Sequence, residues 1–341
     1  MIYSKCLNIE KQFDFGFRVD FGDQVGFGHF FRCYSIAEQL IKKNLKLIFI
    51  TNNQDISQFF TSKNVSYVIL NETNSEKNLL EYLSIAKNSK NMIIDLPFDN
   101  HVYVESANSY CNTIAIDDLG NSQLFPNLLI NGSLVNEFQN YSIDKNSTTY
   151  LKGPKFMILR SEFQNFREKT SIQKNLKKIL LTFGGNDDDN LSEKIAEYFL
   201  EKDFEITILL GGSYKNISHL KQKFSKYENF EIIVDERNVA RLFSLHDLVI
   251  SSSGITSYEL ACLGIPSIFI PADEYQEKTS IAMEKLGFGL NFGLWDDNFT
   301  KFDLFFSEIR SYSVRKKMSV SGQKIIDGHG LNRILSYLFK L

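Results

Sequence analysis

Cysteine is scarce: the four at Cys6, Cys33, Cys111 and Cys262 form no CxxC pair and no histidine-spaced set, which excludes a zinc finger or a disulfide framework. A reducing, cytoplasmic setting is the expectation, with no metal and no cofactor. Long apolar runs are missing as well. Nowhere does the chain reach the about eighteen uninterrupted apolar residues of a membrane-spanning helix, and its first residues lack a charged-then-apolar leader. Charge of one sign is also absent: a formal net charge of -3 without any long basic or acidic block removes the footprint of a dedicated nucleic-acid binder. Any phosphate must therefore be held locally, and neither nucleic acid nor membrane insertion is expected.

What is present is an ordinary globular balance. Hydrophobic residues at 43% and charged residues at 23% supply apolar surface for a core in each of about two domains, the number that 341 residues accommodate. Short apolar runs at residues 45–50, 65–70, 91–95 and 113–116 alternate with amphipathic stretches, the rhythm of βαβ units around a parallel sheet. The same rhythm restarts at 178–183 and continues at 205–210, 230–234, 247–251 and 267–270. Between the two series, residues 135–155 are rich in Asn, Ser and Thr and close on Gly153 and Pro154, as a connecting segment does. The expected division is 1–155, an N-terminal Rossmann-like domain, and 156–341, a C-terminal Rossmann-like, nucleotide-binding domain.

Four glycine-bearing turns follow expected strands: residues 22–29, 184–187, 211–213 and 252–256. At the carboxyl ends of parallel strands such turns form the ligand crevice, because glycine lets backbone amides approach a phosphate at a helix start. The first turn, Gly26-Phe27-Gly28-His29, lacks GxGxxG spacing and a closing acid, which disfavours a nicotinamide enzyme. It offers instead a histidine beside two glycines at the start of an expected helix over residues 30–42. An imidazole there is placed to take a proton near neutral pH, or else to cap the helix. Arg18 and Asp20 end the preceding strand, either on the same rim as His29 or as a structural ion pair.

These residues carry a resemblance. Arg18-Val19-Asp20, Gly26-Phe27-Gly28-His29 with Arg32-Cys33, Phe183-Gly184-Gly185-Asn186-Asp187, the run Ser253-Gly254-Ile255-Thr256-Ser257-Tyr258-Glu259-Leu260 and Ile326-Asp327-Gly328-His329-Gly330 resemble, in order, the UDP-2,4-diacetamido-2,4,6-trideoxy-β-L-altropyranose hydrolases of pseudaminic acid biosynthesis. The resemblance extends from about residue 15 to residue 331. It implies a GT-B fold, two facing Rossmann-like α/β domains with an interdomain cleft, as in the related peptidoglycan N-acetylglucosaminyltransferases. It also implies that His29, with Asp20 and Arg18 on its rim, activates a water that displaces UDP from the anomeric carbon with inversion. Gly26, Gly28, Arg32, Asp117, Gly184, Gly185 and Asn186 would line the substrate cleft. Ser253, Gly254 and Thr256 would donate to the diphosphate, and Glu259 would accept the ribose hydroxyls.

The chain departs from the pattern at one place: where the family has Asp-x-Tyr, it reads Asp95-Leu96-Pro97-Phe98. Asp187, whose charge would repel a diphosphate, is expected to cap a helix or orient backbone. The expected partner is a small UDP-sugar. Two alternatives to hydrolysis share the same donor pocket: a GT-B glycosyltransferase, and a nucleotide-sugar-binding protein without turnover.

Overall fold

The computed structural model describes residues 11–22, 26–60, 65–70, 75–97, 100–120, 123–143 and 147–341. The first sheet is built from β1 (Phe13–Val19), β2 (Leu47–Thr51), β3 (Val65–Ile69), β4 (Ser89–Asp95), β5 (Asn112–Ile116), β6 (Leu128–Asn131) and β7 (Thr149–Lys152). The second is built from β8 (Lys178–Thr182), β9 (Glu205–Leu210), β10 (Phe230–Val234), β11 (Leu248–Ser251), β12 (Ser267–Phe269) and β13 (Leu290–Asn291). Every pairing is parallel, in the orders β3-β2-β1-β4-β5-β6-β7 and β10-β9-β8-β11-β12-β13. These are two Rossmann-like α/β domains, each doubly wound from its first strand outward.

Helices cover the sheets: α1 (Gly28–Ile41), α2 (Ser75–Lys87), α3 (His101–Ala107) and α4 (Ser161–Arg167), then α5 (Leu191–Tyr198), α6 (Ile217–Phe224), α7 (Val239–Ser244) and α8 (Ile255–Leu263), and finally α9 (Glu274–Lys285), α10 (Phe299–Ile309), α11 (Tyr312–Ile325) and α12 (Gly330–Leu338). With helices on both faces, the central strands bury side chains on both sides, and β4 sends Ile93 into one core and Met92 and Ile94 into the other. The register of α1 follows from its apolar spacing: Phe30, Cys33, Ile36, Ala37 and Leu40 recur at helical period and are fully buried against the sheet. No helix among the described residues is long and apolar enough to cross a membrane.

Two features differ from the pattern read in the sequence. Residues 149–152, inside the expected connector, form β7, an edge strand in which only Leu151 is buried, so no apolar run announces it. The final helix, which a division at residue 155 assigns to the second domain, packs on the first: Leu331, Ile334, Leu335 and Leu338 join the core of Phe156, Ile158 and the α1 face. The Asp327-Gly328-His329-Gly330 motif makes that crossing. A side chain on Gly330 would sit 2.0 Å from the Met157 carbonyl oxygen. Asp327 accepts from the His329 amide at 2.9 Å and from both terminal nitrogens of Arg333 at 2.9 and 2.5 Å.

Candidate active site between the two domains

In each sheet the strand order reverses beside the first strand, and a ligand crevice opens at such a switch point. In the first sheet it lies between β1 and β4. Here α1 starts without any side-chain cap, placing His29 in its first turn. His29 and Arg32, three residues apart, lie on one side of the helix next to the buried stripe, and Asp95, the last residue of β4, comes up between them.

Asp95 is fully buried and has every acceptor position in use. His29 Nδ1 lies 2.7 Å from Oδ1, Arg32 Nη2 donates to Oδ1 at 2.6 Å and Nε to Oδ2 at 2.5 Å, and the Cys33 thiol stands 3.5 Å from Oδ2. Burial alone would raise this carboxyl. Arg32 first and His29 second more than offset it and hold it down at about 2. An ionised carboxylate only accepts, so Nδ1 of His29 carries the hydrogen and its Nε2 lone pair is left free. Nδ1 then cannot accept from Arg32 Nη2, whose 3.0 Å approach is a charge contact. Among the described residues Nε2 has no hydrogen-bond partner, and the side chain is 21% exposed. This is the geometry of a general base oriented by a carboxylate.

The remaining residues of the first domain divide around this centre. Arg18 Nη1 and Nη2 grip Asp20 at 2.5 and 2.8 Å, and Asp20 also accepts from the Asn52 amide at 2.9 Å, tying the ends of β1 and β2 together. Gly26, at φ 76°, pairs with Gly22, and residues 23–25 lie outside the described residues. Asp117 turns inward to the Gly120 amide, 3.0 Å away, and to the Tyr141 hydroxyl. Its neighbour Asp118 turns the other way and accepts from Arg32 Nη1.

The switch point of the second sheet lies between β8 and β11. Gly184, Gly185 and Asn186 follow β8, and Ser252, Ser253 and Gly254 follow β11 and lead into α8. A side chain added at Gly28, Gly184, Gly185 or Gly254 would meet nothing within 4 Å, whereas one at Gly211 would strike the backbone of Gly185 at 2.6 Å. Packing thus explains Gly211 and leaves the other four facing open space. Asp187 accepts from the Leu191 and Ser192 amides, both at 2.8 Å, and so caps α5.

Ser253 is tied to α9: its amide donates to Gln276 Oε1 at 3.1 Å and its hydroxyl to the Gln276 carbonyl at 2.7 Å. Thr256, in the first turn of α8, is half-buried. Glu259, one turn further along α8, is buried and accepts from Arg160 Nη2 at 3.3 Å; burial pushes its carboxyl up, and Arg160 opposes the rise. Arg160 also lies 5.5 Å over the Phe31 ring of α1, so one guanidinium touches both domains. On the other flank Tyr258, a buried phenol pushed up to about 12 by burial, accepts from the Leu134 amide at 3.2 Å.

Sequence reasoning put His29 and Arg32 at the site but left Asp95 and Asp118 out of the residue set. A signal for Asp95 exists: an acid ending a strand opposite a histidine and an arginine spaced to meet it.

No protein-family model matches the chain. An uncharacterized protein of Methanocaldococcus jannaschii is 29% identical over 274 residues, 75% of this chain and 55% of that protein, so the chain spans about half the length of that relative. The spore coat polysaccharide biosynthesis protein SpsG of Bacillus subtilis is 24% identical over 331 residues, 95% of this chain and 97% of SpsG. Among solved structures, Acinetobacter baumannii MurG superposes with a TM-score of 0.68 at 12% identity, covering 96% of this chain and 100% of that one. UDP-GlcNAc 2-epimerase from Neisseria meningitidis, bound to UDP-GlcNAc, gives 0.64 at 13% over the same shares. Anabaena HepE in complex with UDP gives 0.60 at 12%, again over 96% and 100%. The fold is GT-B-like.

Proposed function

We propose that the chain is an enzyme that binds a UDP-linked amino-deoxy-sugar between its domains and hydrolyses it with inversion. The observation that carries this reading is the buried Asp95 carboxylate on Nδ1 of His29, which leaves Nε2 as a base at the first switch point. The open glycine turns at the second switch point and the uncapped start of α8 support a diphosphate opposite it, where free amides and the positive helix end stabilise charge. HepE with UDP and the epimerase with UDP-GlcNAc support uridine as the nucleotide. In the reaction, water attacks the anomeric carbon from the face opposite the leaving group and its proton passes to His29 Nε2. The bond from carbon to phosphate oxygen breaks, and UDP departs with the electron pair. The free amino-deoxy-sugar then serves nonulosonic, pseudaminic-type acid synthesis.

A second reading, transfer to an acceptor hydroxyl, is favoured by a 25% identity over 166 residues with an N-acetylglucosamine transferase of Acetivibrio thermocellus, and it uses the same base and donor pocket. The Pro97 that replaces the expected tyrosine favours a third, binding without turnover. Incubating the protein with UDP-linked amino-deoxy-sugars and no acceptor, followed by NMR, separates the three. Stoichiometric UDP and inverted free sugar support hydrolysis; an intact UDP-sugar that turns over only when acceptor is added overturns it.

A further inference from the structure

We propose that Arg32 and Asp118 are positioning residues for the His29 base, with Asp118 governing the imidazole through the buried Arg32 guanidinium and the Asp95 carboxylate. The inference rests on the reading of His29 as the base and adds the groups that set its orientation and charge. Arg32 is almost fully buried, and each of its three nitrogens donates to a carboxylate: Nε and Nη2 to Asp95, Nη1 to Asp118. A guanidinium held in a fork between two carboxylates is placed to fix them, not to meet a diphosphate. Its two anchors differ. Asp95 is sealed in the domain, whereas the Asp118 side chain is 41% exposed. Asp118 is therefore the member of the chain that faces outward, and its charge reaches Tyr258 on α8 of the second domain.

Counting charge shows why the outer carboxylate matters. Arg32 and Asp95 together are neutral, and the cationic Nη2 stands 3.0 Å from the imidazole. A proton arriving on His29 would then face as much positive as negative charge. Asp118 makes the set net negative by one, so protonation of His29 brings it to neutrality. The charged or titratable groups in contact with the imidazole or with its two partners are Asp95 on β4, Arg32 on α1, Asp118 after β5, and, through Asp95, the Cys33 thiol. Burial pushes Cys33 well up and it stays neutral, as does the buried Tyr258 of the facing helix. Asp117 is turned away to Tyr141 and Gly120. Removing the Asp118 charge therefore frees one end of the Arg32 fork that holds Asp95 against His29, without touching the imidazole.

The test is Asp118→Asn, with Asp118→Glu as the conservative control, each checked for an unchanged melting transition. The tautomer of the His29 ring is read from its nitrogen shifts by NMR in the unliganded protein, and kcat and KM are measured with a UDP-sugar. In D118N the fraction of rings that carry the hydrogen on Nδ1 should fall, and kcat should fall about tenfold, less than the loss on removing a base outright, while KM stays within about twofold; D118E should restore both. A His29 tautomer that does not change in folded D118N overturns the proposal, as does a loss confined to KM, which would make Asp118 a substrate contact. If the tautomer changes as expected but no UDP-sugar is turned over by the wild type, the positioning holds and the proposed reaction fails.

Discussion

Replacing Asp95 by Asn tests the centre most severely, because the asparagine fills the same space but exchanges one acceptor for a donor. In the wild type both carboxylate oxygens accept, one from His29 and Arg32 Nη2 and the other from Arg32 Nε. The amide must present its oxygen at one of these positions and its NH2 at the other. With NH2 on the side of His29, Nδ1 becomes the acceptor, Nε2 takes the hydrogen and the base is lost, an effect of the order of 10⁴ in kcat where a wrong tautomer is imposed. In either orientation the NH2 also faces an Arg32 donor, Nη2 on one side or Nε on the other, and breaking a buried pair in this way costs about 3–5 kcal/mol. The pH dependence of the wild type bears on the same contact. Asp95 stands at about 2 in the folded protein against 3.8 for the free group. Its pKa is depressed, so the stability it contributes, about 2 kcal/mol, is present above 3.8 and lost as the pH falls from there towards 2. Urea unfolding at pH 7 and UDP release measured on the same D95N preparation read the two effects. A folded D95N with an unshifted midpoint and turnover within tenfold of wild type would refute the assignment of Asp95 as the group that orients His29.

Four further outcomes are expected. His29→Asn should lower turnover by roughly 10²–10⁴-fold with little change in substrate affinity; single-turnover rates and UDP calorimetry check it. Glu259→Gln should weaken UDP binding several-fold if the carboxylate accepts ribose hydroxyls, and unchanged affinity would remove Glu259 from the pocket. UDP should bind equally well with and without chelator, and a strict divalent requirement in calorimetry would give Asp117 or Asp187 a metal-binding role. Gly28→Ala puts a methyl where nothing lies within 4 Å, at the first position of α1; the melting temperature should hold or rise slightly while activity falls, and undiminished activity would exclude Gly28 from the cleft.

The architecture was legible because parallel strands covered on both faces must be apolar throughout, and runs such as residues 178–183 and 205–210 stand out against polar surroundings. Strands that are short or lie at an edge leave no such trace: β7 buries one side chain in four, and β13 has two residues. The destination of α12 was illegible for a different reason. Its apolar stripe, Leu331, Ile334, Leu335 and Leu338, would suit either core, and it meets Phe156, Ile158 and the α1 face of the first, residues far from it in sequence.

The candidate site shows the same limit at the level of single residues. His29 was legible from its glycine-flanked turn, but the property that makes a histidine a base is the identity of the group on its other nitrogen. That group is Asp95, sixty-six residues away in sequence. Parallel topology brings the two together, since β1 and β4 are neighbours with Val19 opposite Asp95 in register. The acid pair Asp117-Asp118 makes the point again. Adjacent residues after a strand face opposite ways, so one carboxylate turns into the domain to meet Tyr141 while the other meets Arg32. Only the partners waiting on each side decide which of the two can influence the chemistry.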